Sequence, residues 1–185
     1  MDKPSTGILE LPFKFDPVEI TSYINSLTEE EWLKWRFRQT LPNHQHTESI
    51  KVLWIPLDVA SFDVDCVEKN EPHYTVVTNI MEGCLDFLKQ YYDGKIYKII
   101  IVKLSSNSHI RPHEDDGFSL EIPHRVHIPI VTNPNIKFGC GQSEIYMAPG
   151  SLYEINNQQQ HYVINDTDQH RVHLIVDVIE NSSIT

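Results

Sequence analysis

Polar and apolar positions follow two rhythms along this chain, helical in much of the first half and strand-like in the second. Asp16-Pro17-Val18-Glu19 sets an N-cap residue, a proline at the first helical position and an acid close behind. That order suits the free N–H groups of a helix start. A short helix over 17–27 follows. Thr28-Glu29-Glu30-Glu31 repeats the capping pattern ahead of Trp32, Leu33, Trp35 and Phe37. In 79–92, Ile80, Met81, Cys84, Leu85, Leu88 and Tyr92 recur at helical spacing, with Thr78 placed to cap and Gly94 to stop the helix. This is a core-packing helix without assigned chemistry. The stretch 49–57 is apolar and β-prone, and Pro56 near its end predicts an edge strand. Residues 58–72 read as an acid-rich loop.

From Lys95 the period changes. Residues 96–104 form a β-branched run, and 125–131, 143–147, 151–155, 161–165 and 171–179 are further strand candidates. Turn residues separate them at Asp116-Gly117, Asn133-Pro134-Asn135, 139–141, Pro149-Gly150 and 165–168. Many short strands punctuated in this way predict an antiparallel sandwich or barrel. The expected organisation is one domain over 1–185, with a helical lead-in and outer strands over 1–94 and a β core over 95–180.

Composition narrows the class. A chain of 185 residues, 40% hydrophobic and 22% charged, fits one globular domain. No apolar run approaches the roughly 20 residues that span a bilayer. Met1 to Glu10 lacks a basic region followed by an apolar stretch, so no signal peptide is read and the cytoplasm is the expected location. The net charge of −11 argues against broad nucleic-acid binding, which needs Lys and Arg to neutralise phosphates. Cys66, Cys84 and Cys140 form no CxxC pair and read as free thiols. Oligomeric state is not legible.

Seven of the ten histidines fall between His109 and His173. In His113-Glu114-Asp115 the first and third residues share a face if the segment is extended, so an imidazole and a carboxylate point into one cavity while Glu114 points away. His161, opening a later strand, is the best third ligand. Two histidines and a carboxylate leave three positions open on a non-haem iron(II) centre. Arg171 lies ten residues after His161, and one strand, a turn and the next strand bring it back alongside. Its guanidinium there can grip a carboxylate through two parallel hydrogen bonds. 2-Oxoglutarate needs this pair of devices, a metal for its 2-oxo acid end and a cation for its far carboxylate. Arg125 and His127 alternate with Val126 and Ile128, and a buried arginine there wants an anionic partner. A salt bridge to one of the 26 acids answers that need as well as a ligand does. His109, His124 and His170 sit beside turns and read as exposed. His44 and His46 fall in a polar loop. His173 shares a face with Arg171, and Trp32 and Trp54 read as core or as the floor of a pocket.

The blocks I110-R-P-H-E-D-D-G, H124-R-V-H-I-P-I, M147-A-P-G-S-L-Y-E-I-N-N, H161-Y-V-I-N and R171-V-H-L-I-V-D, in that order over about 95–180, resemble the aspartyl/asparaginyl β-hydroxylase family of Fe(II)/2-oxoglutarate-dependent oxygenases. The chain is similar to its small bacterial or phage-type members. The resemblance implies a mainly β fold, a cupin-like double-stranded β-helix (jelly roll) with N-terminal and flanking α-helices. It implies iron on His113 and His161, and Arg125, His127 and Arg171 against the carboxylates of 2-oxoglutarate. Some family members lack the carboxylate ligand; Asp115 places this chain with those that use a full triad. The expected reaction is hydroxylation of an amino acid, free or in a peptide or protein, with molecular oxygen. The rivals are a cupin-type metal enzyme without 2-oxoglutarate, a non-catalytic jelly-roll binding module, and a zinc hydrolase, for which Glu114 is badly oriented as a base.

Overall fold

A computed structural model describes residues 1–34, 42–54 and 67–183. Trp35, Phe37, Pro56, Cys66 and most of the acid-rich stretch lie outside these residues. The chain opens with strand β1 (Ile8–Lys14), then helices α1 (Val18–Ser26) and α2 (Glu29–Leu33). Next come β2 (Thr47–Trp54), β3 (Glu68–Lys69), α3 (His73–Ile80) and α4 (Glu82–Tyr91). The second half runs β4 (Gly94–Leu104), β5 (Ser108–His113), α5 (Phe118–Glu121), β6 (His124–Val131), β7 (Lys137–Cys140), β8 (Ser143–Ile145), β9 (Ser151–Ile155), β10 (His161–Asn165) and β11 (Arg171–Glu180).

The strands form two antiparallel sheets. The larger has the order β1-β9-β6-β11-β4-β2-β3 and the smaller β5-β10-β7-β8. The antiparallel pairing is what the strand punctuation predicts, and the fold is the jelly roll that the family resemblance implies. The first 94 residues carry strands as well as helices, with β1 joining β9 and β2 joining β4 in the larger sheet. β2 is penultimate rather than an edge strand where β3 pairs with Leu53 and Trp54.

Alternation divides the larger sheet by face. Val172, Leu174, Val176 and Val178 of β11, Val126 and Ile128 of β6, and Ile99 and Ile101 of β4 pack with Leu85 and Leu88 of α4 and Ile20 and Ile24 of α1 in one core. Each such aliphatic side chain, fully buried, contributes roughly 1.5–3 kcal/mol. The opposite face carries Arg171, His173, Ile175 and Asp177 of β11, and Arg171 and Ile175 from this row line a cavity.

The helical reading of 79–92 changes in detail. The helix begins earlier, at His73, and breaks at Met81, whose φ of −96° and ψ of 10° end α3 and start α4. Thr78 lies inside α3 with its hydroxyl on the Tyr74 carbonyl at 2.7 Å, not at a cap. Asp93 (φ 43°), not Gly94, takes the left-handed turn after α4. Gly94 is small for another reason, since a Cβ there would meet the Ile179 carbonyl oxygen at 2.3 Å. The capping box on α2 forms as predicted, with Thr28 and Glu31 exchanging both bonds. Cys84 and Cys140 are buried free thiols. No helix among the described residues is long and apolar enough to cross a membrane.

Candidate metal and co-substrate site

His113 closes β5 and His161 opens β10, and the two are direct partners across that antiparallel pair. Asp115 follows two residues after His113, in the loop beyond the strand rather than on it. One ligand atom from each of His113, Asp115 and His161 lies within 4.8 Å of the other two. The two rings are 4.3 Å apart between centroids. His113 donates Nδ1–H to the Arg111 carbonyl at 2.8 Å and His161 to the Gln159 carbonyl at 3.0 Å. Those bonds fix the tautomer that leaves each Nε2 lone pair free for a metal. The donor set therefore suits a divalent first-row metal such as iron(II).

Burial alone would raise the Asp115 carboxyl, but Arg125 leads the charges and hydrogen bonds that hold it well below the usual carboxylate range. It is thus an anion at neutral pH. Burial lowers His161 and keeps it neutral. Glu114 is exposed and is not among the residues that line the cavity.

Arg171 stands at the start of β11, 3% exposed. Its Nε donates to His173 Nε2 at 3.0 Å, and its Nη2 lies 2.7 Å from His173 Nδ1. Phe138 lies 5.6 Å from the guanidinium carbon. Among the described residues no carboxylate pairs with it, and burial pushes its pKa down to about 9. An unpaired buried cation is costly, and an anion bound beside it would offset that cost.

Arg125 differs. Its Nε and Nη2 donate to the two oxygens of Asp177 at 2.8 and 2.7 Å, and Nη1 donates to Asp115. Of the two answers open for it, the ion pair is the one its contacts describe. His127 lies near His173, Nδ1 to Nδ1 3.4 Å, and burial, then Arg171 and Arg125, keep it neutral. His113, Asp115, Arg125, His127, His161 and Arg171 all line one cavity of about 430 Å³ of empty space, part of it open to solvent. Val102, Phe138, Val163 and Ile175 give it apolar walls.

Four residues were not singled out from the sequence. His44 is buried, not loose in a loop, and sets its ring edge-on to His113 at 5.0 Å. Phe138 sits on β7, whose second half the sequence reads as part of the turn 139–141. Asn157 donates to Asp115 at 3.1 Å. Asp177 continues the alternation from Arg171 through His173 and Ile175, the one signal that pointed to it. His124 corrects another expectation: it is 4% exposed, bonded to Glu154 at 2.6 Å and stacked on Tyr92. Asn165 fixes the turn between β10 and β11, donating to Ser105 and Gln169 carbonyls at 3.0 and 2.9 Å.

Solved structures share this fold at low identity. A 2OG-Fe(II) oxygenase family oxidoreductase from Burkholderia pseudomallei superposes with a TM-score of 0.67 at 15% identity, covering 97% of this chain and 87% of its own. HygX from Streptomyces hygroscopicus, solved with nickel and 2-oxoglutarate, gives 0.60 at 11%, covering 96% and 84%. The viral collagen prolyl hydroxylase of Paramecium Bursaria Chlorella virus-1, in its 2OG complex, gives 0.59 at 8%, covering 94% and 96%. No curated protein matches the sequence. The family model for aspartyl/asparaginyl beta-hydroxylase matches residues 19–181, and the chain belongs to that family of hydroxylating dioxygenases.

Proposed function

We propose that His113, Asp115 and His161 hold iron(II), that Arg171 grips the far carboxylate of 2-oxoglutarate, and that the substrate is an amino acid, free or within a peptide or protein. The observation that carries this reading is Arg171, a buried guanidinium without an acid beside it among the described residues, in the same cavity as two histidines and a carboxylate. A metal enzyme that used no 2-oxoglutarate would leave that charge uncompensated. When bound, iron(II), 2-oxoglutarate and oxygen supply the oxidising power for hydroxylation, and the co-acid leaves as succinate and carbon dioxide.

The protein's own part is orientation and exclusion of water. Arg171 offers paired donors in a rigid fork that matches a carboxylate. His127, kept neutral, adds a polar contact without a competing charge. Val102, Phe138, Val163 and Ile175 give the cavity apolar walls, and water expelled from them by a bound ligand would strengthen the polar interactions within it. The hard chemistry belongs to the cofactor, and no side chain is needed as a nucleophile.

Anaerobic titration of the metal-free protein with iron(II) and 2-oxoglutarate tests this. The expected result is the weak visible charge-transfer band of the chelate, lost in Arg171→Ala and in His161→Ala. Bound iron without the band favours the cupin-type alternative, and no bound iron favours a binding module.

A further inference from the structure

Arg125 is the middle of a buried row of alternating charge that ends on a proposed metal ligand. Lys98 Nζ lies 3.2 Å from Asp177 Oδ2, Asp177 takes two bonds from Arg125, and Arg125 gives its third to Asp115. The first three residues are neighbours by strand register, because Asp177 sits opposite Lys98 on β4 and opposite Arg125 on β6. Asp177 and Lys98 are 1% and 6% exposed, and Lys98 also rests 4.5 Å from the Trp54 ring. Two cations and two anions in alternating order compensate one another, which makes their burial tolerable.

Asp115 has no strand ladder to hold it, and its loop is wired from several sides. Its N–H donates to the Asn157 carbonyl at 3.0 Å and its carbonyl accepts from Gln158 Nε2 at 3.1 Å. On the side chain, Oδ2 accepts from both Arg125 and Asn157 Nδ2. Asn157 is in turn fully buried and fixed, donating to the Leu120 carbonyl at 2.7 Å and accepting from Lys3 at 2.6 Å. Both protein donors therefore fall on one carboxylate oxygen. The other, Oδ1, faces His161 Nε2 at 3.9 Å.

We infer that Arg125 and Asp177 are positioning residues for Asp115, reserving Oδ2 for the protein and Oδ1 for the metal, and that Arg125 is not a carboxylate anchor for the co-substrate. The inference rests on the His/Asp/His reading of the metal site. It separates the cavity's two arginines by task. Arg171 has no acid partner among the described residues and governs the co-substrate, whereas Arg125 is saturated by two acids and governs the ligand. A carboxylate released from its donors can rotate or take the metal with both oxygens, and either change alters the positions left open.

Full-length Asp177→Asn, Arg125→Lys and Arg171→Lys are titrated with cobalt(II) alone, then with 2-oxoglutarate at saturating cobalt(II), with circular dichroism as a control for folding. The first two variants are expected to bind cobalt(II) roughly 10–100-fold more weakly, the usual cost of losing a partner behind a ligand. They are also expected to shift its visible d–d spectrum while leaving 2-oxoglutarate affinity nearly unchanged. Arg171→Lys does the reverse. Asp177 does not line the cavity, so its effect cannot come from touching co-substrate. Normal cobalt(II) binding with weakened 2-oxoglutarate binding in Arg125→Lys overturns the inference, as does a wild-type affinity and spectrum in Asp177→Asn. If either buried variant does not fold, Asn157→Ala decides, since it removes the second donor from Oδ2 and leaves the charge row intact. Wild-type protein that binds no cobalt(II) removes the metal site and the inference with it; wild-type binding that the folded variants match removes the inference alone.

Discussion

His113 and His161 are mirror partners: they face each other across β5 and β10, and each ties Nδ1 to the carbonyl two residues before it. The backbone itself thus selects the tautomer and points both Nε2 atoms at one place. Replacing either with alanine removes a ligand, so metal affinity is expected to fall by more than the roughly 10–100-fold that a partner behind a ligand is worth. A thermal shift assay reads this simply. Metal at about 100 times its dissociation constant stabilises the wild type by about 2.7 kcal/mol, and the alanine variants are expected to show no shift. A full shift in His113→Ala would remove that residue from the ligand set.

Arg171 carries the opposite kind of prediction, because function and stability pull apart there. Its guanidinium is buried with no acid beside it among the described residues, and burial pushes its pKa down to about 9. Arg171→Met keeps the volume near Phe138 and removes the charge. The metal-free protein is expected to gain stability, on the order of 1 kcal/mol, as buried charges replaced by apolar groups often do. Stabilisation by added 2-oxoglutarate is expected to vanish at the same time. Urea unfolding with and without the co-acid measures both, and a variant still stabilised by 2-oxoglutarate would place the carboxylate elsewhere.

The capping box on α2 is a local device with a local cost. Thr28 Oγ1 accepts from Glu31 N–H at 3.3 Å, and Glu31 accepts from Thr28 N–H at 2.7 Å. The helix it starts holds Trp32 in the core, 5% exposed, under the Lys103 ammonium at 4.4 Å. Thr28→Ala is expected to cost about 1 kcal/mol without changing metal or co-substrate binding. A larger loss, or altered binding, would show that α2 is coupled to the site.

What the sequence revealed depended on how far apart the interacting residues lie. β9, β10 and β11 were legible because apolar runs are bounded by Pro149-Gly150 and by the Asn165 turn. β1 was not, since only Leu11 of its seven residues is buried and Pro12 interrupts it, as an edge strand permits. β7 hid behind Gly139, which reads as a turn. It is glycine because a Cβ there would meet the Tyr162 ring at 2.2 Å. In the site, His113 and Asp115 formed a local pattern, and Arg171 stood one hairpin from His161. The partner of Arg125 lies 52 residues away on another strand, and alternation puts Asp177 on the Arg171 face without marking it, among 26 acids, as that partner. His44 gave no signal, because a polar loop does not disclose which of its residues turns inward.

Buried imidazoles set the pH range over which the fold holds. Burial, then the Arg171 charge, depresses both His127 and His173 well below their usual 6.5. Folded, they are neutral; in the unfolded chain they take up protons once the pH drops below about 6.5. The unfolded state then binds more protons, so stability is intact above that pH and is lost as pH falls. Each imidazole contributes up to roughly 1.4 kcal/mol of loss per pH unit in this window. Urea unfolding at about pH 7.5, 6.5 and 5.5 is expected to give a flat upper limb and a steep lower one. His173→Gln, which removes one of the two groups, is expected to make the lower limb shallower. A stability unchanged between the highest and lowest of these pH values would mean that the two imidazoles are protonated in the fold, and that the charge facing the cavity is larger than Arg171 alone provides.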